Sequence, residues 1–297
     1  MATTKAPLLT QHLSIRDLRE MPLPRAVLMC APDYFNVVDV KNPFMEGQQG
    51  KVDIPLARKQ WQNVVDAFEG IGIRVQLIPP VADCEDMVFC ANPIFAGLDG
   101  ENRRVSVLSQ MRYGSREKEV PAHAAWFQGH GYRVIPIGEP GCLFEGSGDA
   151  LWHPGRRLIW GGYGHRTSKE IYRKLSEIFE APVMLLELPT ELFYHLDTCF
   201  GLMNENTALV YPGALTNAGM DLIRSLIPCV IEVDAEEATK TMACNGAAFL
   251  GKHVVLQSGA PRTCGKLRER GFHVIEVETS EFMKSGGSVF CMKMYLF

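Results

Sequence analysis

The sequence predicts an α/β fold in which five helix-and-strand units surround a common centre. A short strand pattern returns along the 297-residue chain, and a shared valine marks it in each unit, at Val75, Val134, Val183, Val230 and Val274. The intervals of 59, 49, 47 and 44 residues are typical of stacked or radial repeats. A helical pattern precedes each marker, and short β-rich runs follow most of them, so each unit contains one helix and several strands.

The helices are predicted from apolar spacing. In the first unit Trp61, Val64, Val65 and Phe68 recur at helical spacing, and a glycine ends the segment. The other helical segments are EVPAHAAWFQGHG, TSKEIYRKLSEIFE, TNAGMDLIRSLI and RTCGKLRERG, and the predicted strand runs are MVFC, RVSVL, RLIW, TALVY, AAFLG and HVVLQ. Loops from all units of a radial fold meet at its centre, so functional residues are expected from all along the chain.

One domain is predicted over residues 1–297, because no linker rich in glycine, serine or proline divides the chain. Residues 1–20 are expected to form either a flexible arm or a cover over the functional pocket. Hydrophobic residues make up 46% of the chain and charged residues 22%, which is ordinary for a protein with a buried core.

Charge, apolar runs and cysteine content indicate which partners, location and metal sites to expect. A net charge of −4 gives no electrostatic reason to expect nucleic acid or an anionic membrane as a partner. The apolar runs are shorter than the roughly 20 residues of a membrane helix, and the first residues lack the order of a secretion signal. Nine cysteines without a C-x-x-C pair favour reduced thiols, a cytoplasmic location and no metal site.

Polar side chains stand beside glycine or inside apolar runs in five stretches. Singly, each has an ordinary explanation, such as a turn, a surface ion pair or a buried thiol. Read as strands, FYHLDTCF directs His195 and Asp197 to one side, and SGGSVFC leads Cys291 into the last strand. The other three stretches are EDMVFCANP with Asp86 and Asn92, FEGSGDAL with Glu145 and Asp149, and GGYGHRT with Arg166.

Together these groups suit covalent chemistry on a charged amino acid. A cysteine nucleophile needs a nearby acid and base, and His195 exchanges protons near neutral pH. A carboxylate such as Glu145 would orient the imidazole. Additional carboxylates suit a guanidinium group, and Arg166 suits a substrate carboxylate. The sequence thus predicts an arginine-like amino acid as the small-molecule partner.

The segments DMVFCAN, FEGSGDAL, GYGHRT, FYHLDTCF and EFMKSGGSVFC resemble, in order, the motifs of the guanidine-modifying superfamily. That superfamily contains arginine deiminases, dimethylargininases, amidinotransferases and arginine dihydrolases. The similarity runs from Asn42 to Cys291. It implies a five-bladed α/β propeller, the pentein fold, and chemistry without a cofactor. Members differ in oligomeric state, so a homo-oligomer is left open.

The resemblance also implies a role for each matching residue. Cys291 attacks the guanidine carbon and forms a covalent S-alkylthiouronium intermediate, His195 protonates the leaving nitrogen and then activates water, and Glu145 orients His195. The implied substrate-binding residues are Asp197 at the guanidine nitrogens, Arg166 and Arg112 at the α-carboxylate, Asn42 and Asp86 at the amino-acid end, and Ser285 in a loop that faces the substrate.

Asn92 departs from most of the superfamily. Deiminases and dimethylargininases carry an acid at this position, whereas the arginine dihydrolase branch carries a similar asparagine. An amide donates as well as accepts, so it fits the ureido oxygen of citrulline. The predicted function is hydrolysis of citrulline, arginine or both to ornithine, ammonia and CO2. Dimethylargininase and then arginine deiminase are the alternative enzymes, and a ligand-binding module is the non-enzymatic alternative.

Overall fold

The computed structural model describes residues 14–138 and 140–297. Most of the predicted arm, residues 1–13, lies outside the described residues. Residues 14–20 pack against the protein, since Ile15 is buried and Glu20 forms a β-bridge with Arg156. In the described ranges no helix is long and apolar enough to cross a membrane, and the cysteines are unpaired thiols.

Five three-stranded sheets form the described part of the chain, as the five-fold repeat predicts. The strands are β1 Ala26–Cys30, β2 Arg74–Ile78, β3 Ile94–Leu98, β4 Arg104–Leu108, β5 Arg133–Pro136, β6 Ala150–Trp152, β7 Ile159–Tyr163, β8 Val183–Glu187, β9 Phe200–Asn204, β10 Thr207–Val210, β11 Cys229–Glu232, β12 Ala247–Phe249, β13 His253–Gln257, β14 His273–Val277 and β15 Lys293–Leu296. The helices are α1 Ile54–Gly70, α2 Gly114–Glu117, α3 Val120–Gly129, α4 Ile171–Phe179, α5 Asn217–Leu226, α6 Ala235–Lys240, α7 Pro261–Glu269 and α8 Ser280–Met283.

Each sheet repeats one pattern of pairing. An inner strand pairs antiparallel with a middle strand, and the middle strand pairs parallel with an outer strand. The inner strands are β3, β6, β9, β12 and β15. All five marker valines fall on the outer strands β2, β5, β8, β11 and β14, which confirms the predicted repeat. A helix joins the middle strand to the parallel outer strand in every sheet, as a parallel connection requires.

The last strand closes the ring of sheets. β15 pairs antiparallel with β1, so the first sheet is built from both ends of the described chain. Ala26 lies opposite Leu296, and Met29 lies opposite Lys293. The inner strand of this sheet thus arrives only after the other four sheets are complete.

Three local predictions were wrong in the same way. The MVFC run forms hydrogen-bonded turns, the segment Leu196–Thr198 is a 3-10 helix, and Cys291 lies in the turn before β15. All three segments are buried and lie outside the strands. Apolar residues in a buried loop resemble a strand when the sequence is read alone.

Aromatic packing joins neighbouring sheets. The ring of Phe95 on β3 stacks on that of Trp152 on β6, with centroids 5.3 Å apart. Both rings meet Phe179, the last residue of α4, edge to face at 5.2 Å. Phe179 is fully buried, so its ring fills the space between the second and third sheets.

Phe179→Ala is expected to lower the free energy of unfolding by about 3–5 kcal/mol, because the substitution leaves a cavity at this junction. Urea unfolding measures the change. Tyr34→Ala is the control, because Tyr34 is 50% exposed and its loss is expected to change stability by less than about 0.5 kcal/mol. Equal effects of the two substitutions would contradict this account of the packing.

Candidate active site

The candidate site is a cleft of about 300 Å³, its open mouth included, lined by the segment after β1, the loops before β3, β9 and β15, Arg116 of α2 and Arg166 after β7. Seven of the ten predicted site residues line it, namely Asn42, Asp86, Asn92, Arg166, His195, Ser285 and Cys291. Glu145 and Asp197 lie directly behind the lining, where they bond to His195 and Cys291. The structure thus brings these nine residues together from distant parts of the sequence.

Every inner strand contributes from an equivalent place. Asn92, Asn245 and Cys291 each stand two residues before β3, β12 and β15, while Glu145 precedes β6 and His195 precedes β9. The five-fold repeat therefore positions at least one polar side chain from each sheet at or behind the cleft. This arrangement explains why the functional residues are spread along the chain.

His195 is held by hydrogen bonds at both ring nitrogens. Its Nε2 lies 2.7 Å from Glu145 Oε2, and its Nδ1 lies 3.4 Å from Asn92 Nδ2. An ionised carboxylate only accepts, so Nε2 carries the proton, and the lone pair of Nδ1 accepts from the Asn92 amide. Gly148 permits the contact, because a Cβ there would lie 2.6 Å from Asn92 Nδ2 and 3.1 Å from the His195 ring.

Glu145 is fully buried yet remains ionised. Burial alone would raise its pKa, but Arg166 and the hydrogen bond to His195 hold that pKa well below its usual range. Arg166 Nη1 donates to Glu145 Oε2 at 2.7 Å, and the Arg166 guanidinium lies 4.8 Å from the ring centroids of Tyr113 and Tyr194. This carboxylate is thus a fixed anion behind the imidazole.

Cys291 faces a carboxylate and an amide. Its Sγ donates to Asp197 Oδ2 at 3.1 Å and accepts from Asn245 Nδ2 at 3.2 Å. Burial and the Asp197 charge raise the pKa of Cys291 well above its usual range. Burial also raises the pKa of Asp197 to about 7. The resting site therefore favours a thiol, and a thiolate needs a positive charge nearby.

The other end of the cleft suits the charged groups of an amino acid. Asp86 Oδ1 accepts from Ser285 Oγ at 2.8 Å, and its other oxygen lies 3.1 Å from Lys41 Nζ. Asn42 Nδ2 donates to the Ser285 carbonyl at 3.0 Å. Arg166 Nη2 reaches the Lys41 carbonyl at 2.8 Å, so both cations lie beside this end.

Arg112 is the predicted residue that the structure leaves outside the cleft lining. Its side chain is exposed and donates to the His165 carbonyl at 2.7 Å, while its backbone N–H donates to Glu145 Oε1 at 3.1 Å. Arg116, four residues later, lines the cleft instead. Its Nη1 and Nη2 donate to Asn92 Oδ1 at 3.2 and 3.3 Å, and its Nε donates to Glu119 at 2.6 Å.

Three residues of the site, and a buried lysine two residues after Cys291, were not predicted from the sequence. In the sequence Arg116 and Lys41 look like surface charges. The sequence does not show that they are buried together with the carboxylates of Glu119 and Asp86. Asn245, in MACNGAAF, could have been predicted from the sequence, because it stands two residues before the predicted strand run AAFLG, in the position that Asn92 has before its own strand. Lys293 gave no signal, because a lysine on a strand usually faces solvent.

A larger cavity of about 770 Å³ lies against the inner strands. Its lining is mainly apolar and includes Phe95, Trp152, Phe249, Phe290 and Tyr295. Neither a candidate nucleophile nor its acid–base partner faces it, so it is not the candidate active site. Within the described residues no cluster of three His, Cys, Asp or Glu side chains has the arrangement of a metal site.

Asn245→Ala is expected to lower the free energy of unfolding by about 2–4 kcal/mol, because each buried group left unpaired costs about 1–3 kcal/mol. Asn245 Oδ1 accepts from the N–H groups of Ser288 and Cys291, and its Nδ2 donates to the Asp197 carbonyl at 2.9 Å. Urea unfolding measures this change, with exposed Asn206→Ala as the control. A loss no larger than that of the control would show that Asn245 does not join these loops.

Comparison with known proteins agrees with this geometry. Residues 31–297 match the family described as N,N dimethylarginine dimethylhydrolase, eukaryotic. An N(G),N(G)-dimethylarginine dimethylaminohydrolase of Mycobacterium tuberculosis is 33% identical over 273 residues, which cover 92% of this chain and 86% of that protein. The bifunctional arginine dihydrolase/ornithine cyclodeaminase ArgZ of Synechocystis is 35% identical over 271 residues. That match covers 90% of this chain and 37% of ArgZ.

Solved structures extend the similarity to the fold. The N-terminal domain of ArgZ, an arginine dihydrolase of cyanobacteria solved with its substrate, superposes with a TM-score of 0.86 at 32% identity. The match covers 91% of this chain and 97% of that domain. A dimethylarginine dimethylaminohydrolase structure shares the fold with a TM-score of 0.76. The chain has the predicted pentein propeller, and it belongs to the dimethylarginine dimethylhydrolase family of the guanidine-modifying superfamily.

Proposed function

We propose that this protein is a cysteine-nucleophile hydrolase that converts citrulline, arginine or both to ornithine, ammonia and CO2. The orientation of Asn92 is the observation that carries this choice of substrate. The similarity to ArgZ, an arginine dihydrolase, supports it. The substrate is a free amino acid, in keeping with the small cleft and its charged end.

Arg116 determines which way the Asn92 amide points. A guanidinium group only donates, and two of its N–H groups meet Asn92 Oδ1. The amide nitrogen of Asn92 therefore faces His195 and the cleft. A donor at this place suits a neutral ureido oxygen, whereas an acid there would suit a guanidinium cation. The buried Glu119 carboxylate fixes Arg116 in turn.

The first chemical step on citrulline forms a bond between Cys291 Sγ and the ureido carbon. His195 Nδ1 takes up a proton from solvent, which displaces its 3.4 Å contact with the Asn92 amide, and delivers that proton to the leaving δ-nitrogen, which departs as the amine of ornithine. Glu145 stabilises the imidazolium that forms between these transfers, because its carboxylate lies 2.7 Å from Nε2. Water activated by His195 Nδ1 then releases the carbamoyl group from Cys291, and carbamate decomposes to ammonia and CO2.

With arginine the same groups act twice. Attack by Cys291 expels ammonia and leaves the S-alkylthiouronium intermediate, and hydrolysis of that intermediate gives citrulline. Asp197, which lies beside Sγ, is placed to bond the guanidine nitrogens. At the other end, Arg166 and Lys41 are assigned to the α-carboxylate and Asp86 to the α-ammonium group, by charge complementarity.

Dimethylargininase is the second candidate, and the family match favours it. The relative from M. tuberculosis supports it as well. On that reaction the same Cys291 and His195 would release methylamine from a methylarginine, or dimethylamine from asymmetric dimethylarginine, and stop at citrulline. The asparagine at position 92 argues for ureido chemistry instead, because the resemblance places an acid at this position in dimethylargininases.

We also propose a cytoplasmic location, which the nine unpaired cysteines support, because an oxidising compartment favours disulfides. Two expectations from the sequence stay predictions. They are that residues 1–297 form one domain, and that a homo-oligomer is left open.

The function is tested by supplying arginine, citrulline and asymmetric dimethylarginine separately and identifying the products by mass spectrometry. Ornithine from citrulline is expected, and Cys291→Ser is expected to abolish it because the nucleophile is absent. Ornithine from arginine as well would establish both steps. Citrulline from dimethylarginine, with citrulline itself unchanged, would overturn the proposal in favour of dimethylargininase.

Asn92→Asp tests the role of the amide. The carboxylate would repel the ureido oxygen, so kcat/KM for citrulline is expected to fall at least about 100-fold, or roughly 3 kcal/mol of transition-state stabilisation. Arginine consumption is expected to fall less, because a guanidinium tolerates the added charge. Surface Asn206→Asp makes the same chemical change as a control. Equal losses on both substrates with Asn92→Asp would contradict the assignment.

A further inference from the structure

Lys293 is buried in an unusual setting. It has no exposed surface, and its Nζ finds no hydrogen-bond partner in the part of the chain that the structure describes. The amine instead lies 3.1 Å from the ring centroid of Phe290 and 3.6 Å from that of Tyr295. Aromatic faces attract a cation, but they replace only part of the hydration that burial removes. A lysine in this position needs a reason other than stability.

The position of Lys293 connects it to the nucleophile. It is the first residue of β15, two residues after Cys291. Burial lowers the pKa of Lys293 far below its usual value, while the charges of Asp197 and Cys291 favour its protonated form. Those two groups are the titratable ones that act on it. Asp197 Oδ1 likewise has no hydrogen-bond partner among the described residues.

The proposed substrate explains why a buried cation is needed. A thiolate at Cys291 would stand beside the Asp197 carboxylate, with two negative charges out of contact with water. Arginine brings a guanidinium charge that offsets them. Citrulline is neutral at the reacting carbon and brings no such charge. The protein itself must therefore supply the cation when citrulline is attacked.

We propose that Lys293 is the countercharge of the Cys291 thiolate, and that its amine carries a proton whenever Cys291 has lost its own. The Sγ–H bond breaks and an Nζ–H bond forms, so no electrons are gained or lost. Lys293 is a positioning residue that acts through Cys291 and Asp197, and this inference rests on the proposed action on citrulline.

Lys293→Met tests the proposal, because methionine fills a similar space without a charge. The pH at which iodoacetamide labels Cys291, followed by mass spectrometry, is expected to rise by at least about one unit. kcat for citrulline is expected to fall about 100-fold, and formation of citrulline from arginine less than about 10-fold. The melting temperature at pH 7 is expected to rise, because the unfolded state binds the lysine proton more tightly than the folded state does.

Two further variants complete the test. Lys293→Arg restores the charge and is expected to return the labelling profile towards that of the wild type, and exposed Lys252→Met serves as the control. Should Lys293→Met fail to fold, Lys293→Gln takes its place. An unchanged labelling profile, or equal losses on both substrates, would overturn the role of Lys293. If the wild type makes no ornithine, the proposed function fails. The labelling profiles of the wild type and Lys293→Met then still show whether Lys293 stabilises the Cys291 thiolate.

Discussion

The antiparallel pairing of β15 with β1 is the interaction on which the site depends. It joins residues near the two ends of the described chain, with Val27 opposite Tyr295 and Leu28 opposite Met294. The turn before β15 carries Cys291, whose carbonyl also accepts from the Ala91 N–H at 3.1 Å. Cys291 therefore reaches the cleft only when the ring of sheets is closed, which makes assembly of the site part of global folding.

Buried charges define the rest of the cleft, and most of them are paired. Glu119 bonds Arg116, Arg166 bonds Glu145, and Lys41 lies between Asp86 and Glu85. Such pairs stabilise the fold little compared with apolar residues of similar size. Removing one partner, however, leaves an unpaired buried charge and is strongly destabilising. Their value in this protein is geometric, because they hold the amide and the imidazole at fixed orientations beside the nucleophile. Asp149 serves the same end by accepting from the Leu196 N–H at 3.0 Å.

The repeat and the polar motifs made the fold and the main chemical groups predictable from sequence. The valine spacing identified all five outer strands, and the glycine-flanked polar stretches identified Glu145, His195 and Cys291. Local structure within these stretches was not predictable, because a buried turn and a strand share the same apolar composition. The side-chain partners were not predictable either. Arg116 pairs with Asn92 only because the fold brings a helix against a distant loop.

The pairing of charges changes the argument about substrate. Read from the sequence, the additional carboxylates favour a cationic guanidinium. In the folded protein Glu145 is paired with Arg166 and Asp86 with Lys41, whereas Asp197, beside Cys291, keeps one oxygen without a hydrogen-bond partner among the described residues. The cleft also carries the Asn92 amide beside His195, where an acid is expected in other branches, and Lys293 is buried two residues after Cys291. The reacting end of the cleft is therefore less negative than its composition suggests, which favours a neutral ureido group over a guanidinium cation.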